Sequence, residues 1–310
     1  MKCTKLIHVV ASGMPFDPED LQKSMQLLKT WGFEFSPNKQ PTKHLTKDLL
    51  TGNHPICASS RETRWTSLRN ALSSGEESII WAVRGGYGSL HLVPFLQKLK
   101  KPRTKKLFIG FSDNTTIHQH LNQKWHWPTW HGPHLDRLYK LTPSMLVKTR
   151  QLLEGRLPEQ IFKNIKPLNS SAEKMKVLRS KIVGGNLVTL QSSLATTNQL
   201  NLKNRVLFIE DIGERGYRID RVLEHFSQAQ IFRGVQAVIL GPFVGGTEPD
   251  GRDLSKKVLK EFSQRQSFPV FSMVPSGHIA NSQFLPFEAE ATLKKISTNF
   301  ELTVSTGLKI

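Results

Sequence analysis

Three apolar runs in the first half of the chain each lead into a helix through a short turn, and this repetition constrains the fold more than any other feature. Lys5–Ala11 precedes a helix expected over Pro18–Trp31, with Asp17 as N-cap, Pro18 at the first helical position and Leu21, Met25 and Leu28 at helical spacing. Ser78–Val83 runs into the glycine loop Gly85–Gly88 and a helix over Ser89–Leu99. Lys106–Phe111 runs into a helix from about Asn114 to Asn122. A short strand at Gly32–Phe35 and a helix over Arg61–Ser73 complete the set, and Ser36–Asn53 carries no clear pattern. Strands that each feed a helix predict an α/β fold built on a doubly wound parallel sheet.

The second half reads differently. Leu141–Ser180 mixes a short helical stretch with Pro158 and Pro167. It predicts a linker, 151–176, between an N-terminal domain over 1–150 and a C-terminal domain over 177–310. Beyond it, Val177–Val183, Arg205–Ile209, Val235–Leu240 and Pro269–Phe271 read as strands. Helices are expected near Asn186–Ala195, Tyr217–Phe226 and Leu254–Gln264, and a closing hairpin over Glu290–Ile296 and Glu301–Val304.

Composition excludes some classes and leaves one question open. Apolar residues make up 38% of 310, enough for a packed core. No run approaches the ~20 apolar residues that span a bilayer. The N-terminal Lys2, Lys5 and short apolar stretch run into Pro15, Asp17, Glu19 and Asp20, so no signal peptide is expected. With only Cys3 and Cys57, no disulfide set is expected either, and both readings point to the cytoplasm. The net charge of +18 fits nucleic acid, another anionic polymer or a merely basic surface. The run Lys100–Lys106 has no interleaved aromatic residue and reads as a solvated connection, so no nucleic-acid partner is expected.

Four segments can carry chemistry. In Gly110-Phe111-Ser112-Asp113-Asn114 a serine sits where an apolar strand turns into a helix, the end of an open sheet at which ligands bind. The amides that follow it can hold an oxyanion, although a Ser-Asp helix cap would look the same. Arg84-Gly85-Gly86-Tyr87-Gly88 exposes backbone N–H groups but lacks the P-loop pattern, so it is an oxyanion donor or a tight turn. Glu210-Asp211 ends a strand and could orient a base or pair with Arg218 and Arg221. His278 follows another strand and is a candidate general base. A fifth cluster, His118, His120, His126, His131 and His134 among Trp125, Trp127 and Trp130, has no zinc spacing, so no metal is expected.

Together the segments WAVRGGYGS (81–89), FIGFSDNT (108–115), WHGP (130–133), IVGGNLVTLQSSLAT (182–196), LFIEDIGERGYRIDR (207–221) and SGHIANSQFLPFEAEATL (276–293) resemble the LD-carboxypeptidases, the murein tetrapeptide carboxypeptidases. The microcin C self-immunity peptidases share that family. The resemblance implies a cofactor-free serine peptidase whose nucleophile is Ser112, whose glutamate is Glu210 and whose histidine is His278. It implies an oxyanion hole from the amides of Gly86 and Asp113, with Arg84, Tyr87, His131 and Arg218 as candidate substrate contacts. It implies an N-terminal parallel α/β domain and a more β-rich C-terminal α/β domain with the site in a groove between them. A homodimer and a murein peptide substrate follow from it as well. Phe111 replaces the usual tyrosine, Ala11-Ser12-Gly13 stands for Ala-Pro-Ser, and Leu285-Pro286-Phe287-Glu288 for Leu-Pro-x-Gly. Two other activities remain open at this point: hydrolysis of peptidyl- or aminoacyl-adenylates, for which Trp130 is a weak stacking candidate, and non-catalytic binding of an anionic polymer.

Overall fold

The computed structural model describes residues 3–36 and 54–308; most of the patternless stretch 36–53 therefore lies outside the described residues. The chain divides into two compact units, Met1–Pro158 with Thr306–Ile310, and Glu159–Ser305.

The first unit is built on five parallel strands: β1 (Leu6–Val10), β2 (Glu34–Ser36), β3 (Ser78–Ala82), β4 (Lys106–Gly110) and β5 (Thr129–His131). They lie in the order β5-β4-β3-β1-β2, with the N-terminal half's alternation producing the parallel pairing. β3 and β4 are buried along their whole length, as continuous apolar strands of a two-faced parallel sheet must be. Helices Pro18–Thr30, Arg61–Ser73 and Thr115–Trp125 return the chain between strands. Asp17 caps the first of these, accepting from the Glu19 N–H. The helix expected over Ser89–Leu99 is a 3₁₀ turn, Ser89–Leu92, followed by Val93–Lys98 with Pro94 in its first turn. A core of Val10, Leu68, Ile80, Leu96, Phe108, Ile117 and Trp127 packs one face of the sheet.

The basic run departs from the expected solvation at one end. Lys106 is 1% exposed, and its Nζ donates to the carbonyls of Ser74 (2.8 Å) and Glu76. Its long stem packs in the core while the ammonium satisfies the turn before β3.

The second unit holds β6 (Glu159–Ile165), β7 (Val177–Asn186), β8 (Arg205–Ile212), β9 (Ala237–Val244), β10 (Val270–Phe271), β11 (Leu285–Phe287), β12 (Glu290–Ile296) and β13 (Asn299–Ser305). Seven of them form a mixed sheet in the order β10-β9-β8-β7-β12-β13-β6. The β10-to-β7 side is parallel and the β7-to-β6 side antiparallel. The stretch 151–176 carries the end of helix Pro143–Leu153, all of β6 and a short helix, Ser170–Lys174. Helices Gly216–Gln228 and Ser255–Arg265 cover the parallel side. Among the described residues no helix is long and apolar enough to cross a membrane.

Candidate active site

Ser112 stands at the end of β4 with φ +59°, in the left-handed region that a non-glycine residue adopts at a cost of roughly 1–3 kcal/mol. Phe111 before it is extended, and a 3₁₀ turn over Ser112–Asn114 leads into helix Thr115–Trp125. A sharp strand-to-helix turn of this kind can lift a hydroxyl clear of the sheet. Buried polar groups hold it there. The Phe111 carbonyl lies 3.2 Å from Asn114 Nδ2 and 3.1 Å from His134 Nε2, and the Phe111 ring lies 4.1 Å from that of His134. Asn114 Oδ1 accepts from the hydroxyl of Ser12, at the end of β1.

The glycine loop is packed against this turn. A Cβ on Gly85 would lie 3.1 Å from Ser112 Cβ and 2.8 Å from His134 Cε1, so only glycine allows the approach. Gly86 follows with φ +86°. Asp113 is buried and accepts the Ser89 N–H at 2.8 Å; burial pushes its carboxyl pKa up, while the Ser89 and Gly88 amides and the Arg64 charge oppose that shift.

In the second unit, Glu210 lies on β8, fully buried, and His278 follows β10 in a loop. His278 Nδ1 is 2.7 Å from Glu210 Oε2, and the His278 backbone N–H also donates to Oε2 at 3.4 Å. The pairing of β8 with β9 shifts register between Ile209 and Asp211, where β9 runs one residue longer between Leu240 and Phe243, a bulge on β9 opposite Glu210. The two adjacent carboxylates take separate tasks. Asp211 accepts from Asn186 Nδ2 (2.8 Å), the Val188 N–H (3.0 Å) and the Ile212 N–H (2.8 Å). Burial and the neighbouring Glu210 raise its pKa to about 6.

The structure brings Ser112, Asp113 and the Gly85–Gly86 loop together in the first unit, and Glu210 with His278 in the second. The four candidate substrate contacts have the following surroundings. Arg84 Nη1 faces the buried Asp136 carboxylate at 3.6 Å. Tyr87 is exposed, its hydroxyl 3.2 Å from His91 Nε2. His131 is fully buried on β5, its ring 5.7 Å from that of Phe111, within the packing below the Ser112 turn. Arg218 is exposed and donates from Nε to Tyr217 Oη at 3.1 Å. Within the histidine cluster, His118 bridges Thr129 Oγ1 (2.7 Å) and the Gly110 carbonyl (2.8 Å), and burial lowers its pKa to about 3. No group of side chains suited to a metal ion occurs among the described residues. Sequence reasoning missed Asn114, His134 and Ser12 as supports of the turn; adjacency to the FSD segment was the available signal only for Asn114.

Comparison with known proteins agrees with the site-bearing segments. Residues 7–132 match the LD-carboxypeptidase N-terminal domain and residues 179–293 the LD-carboxypeptidase C-terminal domain. A Rickettsia conorii relative is 37% identical over 237 residues, 75% of this chain and 73% of its own. The murein tetrapeptide carboxypeptidase of Pseudomonas aeruginosa is 27% identical over 301 residues, covering 93% of this chain and 92% of its own. The crystal structure of muramoyltetrapeptide carboxypeptidase from Oxalobacter formigenes superposes with TM-score 0.79 at 25% identity, covering 97% and 98% of the two chains. A microcin C7 self-immunity protein at 17% identity shares the fold, with TM-score 0.80 over 98% of this chain and 97% of its own. With both domain models matched in order over most of its length, the chain belongs to the LD-carboxypeptidase family.

Proposed function

We propose that this chain is a serine carboxypeptidase that releases the terminal D-alanine of murein tetrapeptides, with Ser112, His278 and Glu210 as its triad. The observation that carries the reading is the left-handed Ser112 at a strand-to-helix turn, in a chain that also holds a buried, 2.7 Å Glu210–His278 pair. With Nδ1 held by Glu210, His278 would take the Ser112 proton on Nε2 as Oγ attacks the scissile carbonyl. The tetrahedral oxyanion would be met by the Gly86 and Asp113 amides. His278 would then protonate the leaving amine of D-alanine, and water would hydrolyse the acyl-enzyme by the same route reversed. Arg84 and Arg218 are the candidate partners of the substrate carboxylates. The murein substrate is supported by the names of the Pseudomonas and Oxalobacter relatives. We place the enzyme in the cytoplasm, as a homodimer, which sedimentation of the purified chain would check.

The test is release of D-alanine from the tetrapeptide, followed by mass spectrometry. Ser112→Ala should lower kcat by about 10⁶ and Glu210→Gln by about 10⁴, the scale of triad losses. Equal turnover by wild type and Ser112→Ala would remove the nucleophile. No turnover by either, with steeply salt-dependent binding to a polyanion, would favour the non-catalytic reading that the +18 charge left open.

A further inference from the structure

We infer that Arg64 is a positioning residue which, with the Asp113 carboxylate, clamps a single peptide plane and so sets the glycine loop against the Ser112 turn. The inference rests on the serine-peptidase reading above. Arg64 lies on helix Arg61–Ser73 and is 1% exposed, yet no carboxylate among the described residues lies within ion-pair distance of its guanidinium. Its short contacts are to backbone carbonyls, with His91 Nδ1 3.5 Å from Nη2. Nη1 donates to Ser12 O (2.6 Å) and Gly88 O (2.8 Å), and Nε donates to Ser59 O (3.1 Å). These carbonyls belong to three separate segments: the turn after β1, the approach to the helix, and the glycine loop after β3.

The Gly88 carbonyl and the Ser89 amide are the two ends of one peptide group. Arg64 donates to the carbonyl end at 2.8 Å; Asp113 Oδ2 accepts from the amide end at 2.8 Å. A buried cation and a buried carboxylate thus hold the same plane from opposite sides, and the carboxylate belongs to the residue after Ser112. Glycine is required for the fit: at Gly88, with φ +129°, a Cβ would lie 2.8 Å from Arg64 Nη1. The first segment is tied to the same loop, since the Met14 N–H donates to Gly85 O and the Ala58 N–H to Gly13 O, both at 2.9 Å. The loop's distance from Ser112 therefore depends on a guanidinium that touches neither substrate nor nucleophile. A lysine ammonium could meet the Ser12 and Gly88 carbonyls that Nη1 meets, but it has no second nitrogen on a planar fork to hold the Ser59 carbonyl at the same time.

The experiment compares wild type, Arg64→Lys and Asp113→Asn for D-alanine release, thermal midpoint, and inhibition by a peptidyl boronate that mimics the tetrahedral state. A misplaced oxyanion donor costs about 10²–10³ in kcat. Arg64→Lys should accordingly lose about 10² in kcat, with KM changed less than about threefold and the boronate weakened in proportion to kcat. Asp113→Asn, which keeps an acceptor for Ser89 but not the charge, should lose about tenfold by the same pattern. It decides the matter alone if Arg64→Lys does not fold. Unchanged kcat in a folded variant, or a raised KM with kcat retained, would overturn the positioning role. Wild-type turnover by Ser112→Ala would instead overturn the underlying serine reading, and the two failures are told apart by that control.

Discussion

At Gly277 the backbone takes φ +124°, and an added Cβ would fall 2.5 Å from Glu210 Oε2, the atom that holds His278. The Gly277 N–H also donates to Ser282 Oγ at 2.9 Å, which fixes the turn before the histidine. Gly277→Ala should push the carboxylate off His278 and lower kcat by about 10², the range seen when catalytic groups are displaced by an ångström. Near-normal kcat, with an unchanged downfield Nδ1 proton in the NMR spectrum, would show that the loop absorbs the methyl. The opposite case stands at Glu288, a non-glycine residue in the left-handed region. Its φ is +51°, and the left-handed cost is offset by Arg205, which donates Nε to Oε2 (3.1 Å) and Nη2 to Oε1 (3.0 Å), and by Lys181 Nζ at 3.3 Å. Ser112, Glu210 and His278 stood out as candidates because each lies at or just beyond the end of an apolar run, and the family resemblance gave them their proposed roles. The division of labour between Glu210 and Asp211 was not legible, because it is set by partners far away in the sequence: His278 takes Glu210, while Asn186 and the Val188 amide take Asp211.

At the scale of elements, the pieces that escaped the sequence are those whose order comes from their partners. β5 is three residues long between Pro128 and Gly132, and it is defined by its pairing with Phe108–Gly110. β6 defies its own polarity: Gln160 is buried, donating Nε2 to Phe284 O at 3.1 Å, Ile161 is exposed, and Asn164 has φ +60° where the pairing with β13 shifts register. Two prolines beside such a pattern read as linker. Asn169, in the same stretch, shows how firmly it is built in. Its Nδ2 faces the carbonyls of Ser263 (3.1 Å), Gln266 (3.2 Å) and Phe268 (2.8 Å), and its Oδ1 accepts from the Ala172 and Val270 amides. One side chain thus joins the cap of helix Ser170–Lys174, the end of helix Ser255–Arg265 and β10. Asn169→Ala would strand several of these groups, at about 1–3 kcal/mol for each one left buried and unpaired. A loss of about 3 kcal/mol in urea unfolding is expected; a loss below about 1 kcal/mol would mean the segment behaves as the loose connection its prolines suggested.

Over the whole molecule, buried titratable groups give the first unit a definite response to acid. Burial lowers the pKa of His8 to about 4, with Lys106 adding to it, and of His120 to about 4, with Lys124 adding to it. His118 is held at about 3. All three stay neutral when folded but take up protons when unfolded, near the ordinary 6.5, so they withdraw stability as pH falls through 6.5. Two carboxyls act in the other direction. Asp136, raised to about 6 by burial against the pull of Arg84, and Asp113, raised by burial, bind protons more readily folded than unfolded. Their contribution is full below the ordinary 3.8 and is lost as pH rises through the folded value. Between roughly pH 6 and 5 the three histidines outweigh Asp136, which is held at about 6, so unfolding takes up protons on balance. All six tryptophans (31, 65, 81, 125, 127 and 130) lie in this unit, so tryptophan fluorescence reads it selectively. Its thermal midpoint should fall as the pH is lowered over that window. Asp136→Asn removes one opposing carboxyl and should steepen the fall; His118→Gln removes one histidine and should flatten it. A midpoint that rises on acidification, or variants that shift the slope the other way, would mean that the carboxyls outweigh the histidines and that the cluster around the Ser112 turn is protonated in the folded chain.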